Sequence, residues 1–110
     1  MSNNMNKVIM QGNLVKDPEC SDIGETRLCK LVLASNRSYK EKDDTCFVGC
    51  QCWGGINKVV EAYLVKGSAV LIEGRLKLES WESKDGESRH RHIVVVESLV
   101  MLPKGENSKS

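Results

Sequence analysis

Apolar and polar residues alternate with period two along most of this chain and change to a helical period once, and that pattern lays out its elements. Lys7 to Leu14 predicts a first strand, with Val8, Met10 and Leu14 on one face and Lys7, Gln11 and Asn13 on the other; Ile9 breaks the alternation. "KDPECSDIGE", Lys16 to Glu25, carries Pro18 and Gly24 among other turn formers and is expected to be a loop. Leu28 to Arg37 predicts a second strand, in which Cys29, Leu31 and Leu33 alternate with Lys30 and Val32. The charged "SYKEKDDT" then makes a hairpin-like connection.

A third strand follows in "DTCFVGCQCW". Its parity puts Cys46, Val48, Cys50 and Cys52 on one face and Phe47, Gly49, Gln51 and Trp53 on the other. A protonated thiol packs as a small hydrophobe, so the first face is core-like. The second holds two large aromatics among small and polar neighbours, which suits an open surface. Ile56, Val59, Val60, Tyr63 and Leu64 form a helical stripe, predicting a helix over Ile56 to Lys66 after Gly54 and Gly55, stopped by Gly67. Tyr63 is expected in the core.

Ala69 to Trp81 alternates most cleanly: Val70, Ile72, Leu76 and Leu78 point one way, and Glu73, Arg75, Lys77, Glu79 and Trp81 the other. A turn at Asp85-Gly86 leads to a last strand over Arg89 to Leu102. Its "IVVVESLVML" is apolar on both parities and calls for cover on both faces, a second subunit being one source. There is no internal repeat. The expected domain is 5–102, with a short disordered polar tail over 103–110. Five strands with one helix between the third and fourth predict an all-β, five-stranded barrel of the OB type.

Composition narrows the class. With 110 residues there is room for one core, and 40% hydrophobic with 28% charged residues is ordinary for a globular domain. No apolar run approaches the roughly 20 residues of a membrane span. The N-terminus lacks the pattern of a secretion signal, so a cytoplasmic location and no membrane partner are expected. Five cysteines are an odd number, and three share one strand face, so all are expected to be reduced. A zinc site built from Cys46, Cys50, Cys52 and either His90 or His92 is the competing use, but four converging ligands are demanding and no metal or other cofactor is expected.

The net charge of +1 does not itself announce a nucleic-acid partner. The placement of rings and cations does. Tyr39, Phe47, Trp53 and Trp81 are candidates for exposure, with Lys7, Arg37, Lys40, Lys42, Lys66, Arg75, Lys77, Arg89 and Arg91 as candidate phosphate contacts. A lone tryptophan is more often core than platform, and a lone surface cation is usually just solvated. Three aromatics on outward parity shift that balance, because unpaired bases stack on rings while cations follow the backbone. Neither a nucleophile with its base nor a Gly-rich phosphate loop is present, so an enzyme is not expected.

Several stretches resemble the bacterial-type single-stranded DNA-binding proteins: "MNKVIMQGNLVKDPE" at Met5 to Glu19, "LASNRSYK" ending near Tyr39, and "EAYLVKGSAVLIEGRLKLESWESKDG" through Trp81. The resemblance implies an OB fold, usually a homotetramer with a dimer as the alternative, that coats single-stranded DNA in replication, repair and recombination. It implies stacking on Tyr39, Phe47, Trp53 and Trp81 and phosphate contacts from Lys42 and Lys66. The chain departs from the family at Gly55, at Glu79-Ser80 where the family is basic, and at Val48 where it commonly has a histidine at a subunit contact. Binding that is weaker or less sensitive to salt is the expected consequence. The chain stops at "KGENSKS" with no acidic, apolar-tipped end, so recruitment of replication enzymes through such a tail is not expected. A primosomal OB protein bridging DNA and enzymes, and an OB domain that binds only protein, are the alternatives.

Overall fold

The cleanest alternating run, Ala69 to Trp81, becomes one of the longest strands. In the computed structural model, which describes residues 3–103, β1 is Val8–Leu14, β2 Glu19–Ile23, β3 Thr26–Tyr39, β4 Lys42–Trp53, β5 Ala69–Glu82 and β6 Ser88–Met101. A 3-10 turn, Gly54–Ile56, and one short helix, α1, Asn57–Tyr63, lie between β4 and β5. The sheet runs β1-β5-β6-β4-β3-β2, and β1 also pairs with β3 through Asn13 opposite Ala34 and Leu14 opposite Leu33. That second pairing closes β1, β3, β4, β6 and β5 into the expected five-stranded barrel, and β2 pairs with the first part of β3 along the same edge that meets β1. The extra strand shifts the count by one: the helix follows the fourth strand of the chain, but still the third strand of the barrel.

The inward parity fills the barrel. Leu31 and Leu33 from β3, Cys50 and Cys52 from β4 and Ile72 from β5 are buried, as the alternation predicts, and Val94 and Val96 from β6 join them. Gly12 is needed where β1 closes on β3, since a Cβ there would lie 2.3 Å from the Ala34 carbonyl oxygen. A bulge sets the curvature of the β5–β6 pair. Glu73 faces Ser98 but Gly74 faces Val96, leaving Glu97 as the extra residue, and a Cβ on Gly74 would lie 2.0 Å from the Val95 carbonyl oxygen.

Five expectations need correction. The loop over Lys16 to Glu25 contains β2, paired with β3 in register from Glu19 opposite Lys30 to Ile23 opposite Thr26. Polar residues hide this strand because it lies on the barrel's outer edge. The pairing sets Cys20 directly opposite Cys29, and the two are joined in a disulfide, so not every cysteine is reduced. The objection to disulfides holds for three thiols on one strand but not for two on neighbouring strands.

The helix is shorter than Ile56 to Lys66. Leu64 is already extended (φ −89°, ψ 134°), the Val65 N–H donates to Ser68 Oγ, and the Lys66 N–H donates to Asp17 Oδ1, so local partners replace the next helical turn. Of the stripe, Val60 and Leu64 are buried, whereas Val59 and Tyr63 face solvent; seven residues give too little helix to bury the whole stripe. Leu76 and Leu78 share the inward parity but are exposed, because β5 continues past the end of the barrel. The cover expected on both faces of β6 is present from Ile93 to Val96, and within this one chain, while Val100 and Met101 stay exposed. The tail expected over 103–110 lies outside the described residues apart from Pro103.

Candidate nucleic-acid interface

Strand direction places the aromatics. β4 and β6 run parallel but pair only from Gly49 opposite Ile93 to Cys52 opposite Val96. Before that short zone, each strand is paired only with its hairpin partner, β4 with β3 and β6 with β5. Both hairpins therefore project from the same end of the barrel and diverge, forming a fork whose base is the β4–β6 pairing.

Phe47 stands on the β3–β4 arm and Trp81 on the β5–β6 arm, while Trp53 ends β4 beyond the base. All are open to solvent, with relative exposures of 66% for Phe47, 45% for Trp81 and 37% for Trp53. Tyr39, 68% exposed, sits at the tip of the β3–β4 arm, but the register puts it on the face opposite Phe47: Tyr39 is level with Lys42, whereas Phe47 is level with Ala34. A ligand touching both rings has to pass round the arm. Two rings carry a cation. Lys40 Nζ lies 5.4 Å from the Tyr39 ring centroid and the Arg91 guanidinium 5.6 Å from that of Trp81.

The nine candidate phosphate residues divide by their partners. Lys7 is held by Glu73, a hydrogen bond that raises the lysine above its ordinary pKa. Arg75 pairs with Glu97 at 3.5 Å, Arg89 with Glu87 at 3.4 Å and Arg91 with Glu79 at 3.1 Å. Arg37, Lys40, Lys42, Lys66 and Lys77 have no ion-pair partner among the described residues. Lys77 shares the outer face of β5 with Trp81, Arg37 and Lys42 share the Tyr39 face, and Lys66 stands apart, after the helix and beside Asp17.

At the base of the fork is a network that sequence reasoning did not single out as a site. Glu79 Oε1 accepts from Arg91 Nε at 3.1 Å and Oε2 accepts from Gln51 Nε2 at 2.8 Å, and Gln51 is almost fully buried. Burial pushes the Glu79 carboxyl upward, but the hydrogen bonds from Arg91 and Gln51, helped by the charges of Arg91 and Lys30, outweigh it and hold the group below its ordinary value. Glu79 is thus ionised at neutral pH. The outward parity of Gln51, between Phe47 and Trp53, was the available signal.

The zinc alternative fails on placement. Cys50 and Cys52 face the core, where burial pushes both thiols up to about 12, Cys46 is exposed, and His90 and His92 are exposed on β6. Among the described residues, the His, Cys, Asp and Glu side chains that do converge are Cys20, Cys29 and Glu61, and two of those three are the joined sulfurs.

Residues 5–102 match the model of the single-strand binding protein family. The chain belongs to that family. A single-stranded DNA-binding protein of Wolinella succinogenes is 43% identical over 103 residues, 88% of this chain and 64% of its own length. One from Helicobacter hepaticus is 41% identical over 112 residues, 94% of this chain and 66% of its own length. The chain thus spans just under two thirds of the length of these members of the single-strand binding family. Among solved structures, a Plasmodium falciparum SSB complex with ssDNA superposes with a TM-score of 0.86, covering 94% of this chain and 99% of the other at 18% identity, a likeness of fold. No described helix is long and apolar enough to cross a membrane.

Proposed function

We propose that this chain binds and coats single-stranded DNA with little sequence preference, by stacking bases on Phe47, Trp53, Trp81 and Tyr39 and placing phosphates near Arg37, Lys40, Lys42, Lys66 and Lys77. The observation that carries the proposal is the fork itself: large rings stand in solvent on two diverging arms of a single-strand binding family barrel, where burial would have been the cheaper arrangement. Open π-faces have little to gain from duplex DNA, whose bases are already stacked, so the single strand is the preferred ligand. The names of the relatives support the same substrate. The role is non-enzymatic and cytoplasmic, in replication, repair and recombination.

A homo-oligomer, most simply a tetramer, fits the apolar surface left uncovered. Leu76 and Leu78 border a groove with Met5, Val8 and His92, and β1 from Val8 to Gly12 pairs on one side only. The test of binding is a titration with oligo-dT, followed through the fluorescence of Trp53 and Trp81 at two salt concentrations. Quenching is expected, and Trp81→Ala should weaken binding by about 1–3 kcal/mol with the fold intact. Fluorescence untouched by the oligonucleotide, or full affinity in the variant, would remove the support for stacking.

A further inference from the structure

Glu79 is a carboxylate set among the groups expected to receive an anionic ligand. It lies on the outer face of β5, two residues before Trp81 and level with Arg91 of β6. Lys30 of β3 faces the same side, level with Gln51 of β4, so cations approach this spot from two strands besides its own. The contacts are built rather than incidental. Each carboxylate oxygen has one donor, and Gln51, the donor from β4, is itself 5% exposed and so fixed by its surroundings. Arg91 is bound through Nε, and the same guanidinium lies over the Trp81 ring.

We propose that Glu79 is a positioning residue that sets the charge of the interface: it holds Arg91 over Trp81 and neutralises it, so that this guanidinium offers stacking surface and not a free cation. This rests on the single-strand binding proposed above. A cation already satisfied by an internal carboxylate releases no counterion when phosphate arrives, and each free cation that does so steepens the dependence of log K on log salt by about 0.7 for a single strand. The Glu79–Arg91 pair therefore shifts binding from salt-dependent phosphate contact towards stacking, which salt screens little.

The test measures oligo-dT affinity over a range of salt for the full chain and for Glu79→Gln, which keeps the side-chain shape and removes the charge. The variant is expected to bind about tenfold more tightly at low salt, as for one new hydrogen bond to a charged group, with a slope steeper by about 0.7. Adding Arg91→Ala to Glu79→Gln should return the slope to that of the unmodified chain, because Arg91 is the cation uncovered. Glu25→Gln, a charge change of the same sign on the β2–β3 turn, should leave slope and affinity alone. A purely structural glutamate would move stability and not the slope. Unchanged slope and affinity in a folded Glu79→Gln, or a steep slope that survives loss of Arg91, overturns the proposal. Should circular dichroism show that variant to be unfolded, Glu79→Ala removes the same charge and is read in the same way. Failure of the unmodified chain to bind at all would instead strike the function proposed above.

Discussion

Single residues in this barrel owe their chemistry to which face of a strand they occupy. Cys46, Cys50 and Cys52 share one parity, yet only the last two lie where β4 is covered on its inner side. Burial, with a smaller contribution from neighbouring Cys52 at Cys50, raises both buried thiols from 9.0 to about 12. Because the folded-state value is raised, the stability tied to the neutral thiols is complete below the ordinary thiol pKa and is lost as pH climbs through about 12. Native, unreduced protein treated with iodoacetamide near pH 8 should therefore be alkylated at Cys46 and spared at Cys50 and Cys52, with Cys20 becoming reactive only after reduction. Peptide mapping reads this directly, and rapid labelling of Cys50 or Cys52 in folded protein would contradict their burial.

Elements differ in how plainly the sequence announced them. β1, β3, β4, β5 and β6 were legible because an inward residue recurs at every second position, and a covered face enforces that register. β2 was not, since "ECSDI" lies at an edge where nothing selects for alternation. The helix was visible in Val60 and Leu64 but its end was not, being decided by Asp17 and Ser68, which no local period reveals. Trp81 and Phe47 could be read from parity alone, whereas the position of Tyr39 on the reverse of its arm depends on the register of the whole hairpin. The bulge is the least legible feature and among the most constraining. Gly74→Ala should cost about 1–3 kcal/mol or more, because the new methyl meets the Val95 backbone and not a flexible side chain. Chemical denaturation measures this; a midpoint unchanged from the parent would mean that β5 and β6 can separate there without penalty.

At the scale of the whole molecule, the surface outside the fork decides what the barrel does with copies of itself. Exposed Leu76, Leu78, Val100 and Met101 sit on or beside the strands that continue past the core. Light scattering should give a mass near four times 12.3 kDa, falling in Leu78→Asp, where a charge would be buried without a partner. A mass of 12.3 kDa at every concentration would show that the leucines face only water. The divergence of the two hairpins beyond the short β4–β6 pairing has one more consequence. Among the described residues no strand pairing spans the top of the opening, so the proposed ligand enters sideways with no terminus to thread, and a covalently closed circle should be gripped as readily as a linear piece of equal length.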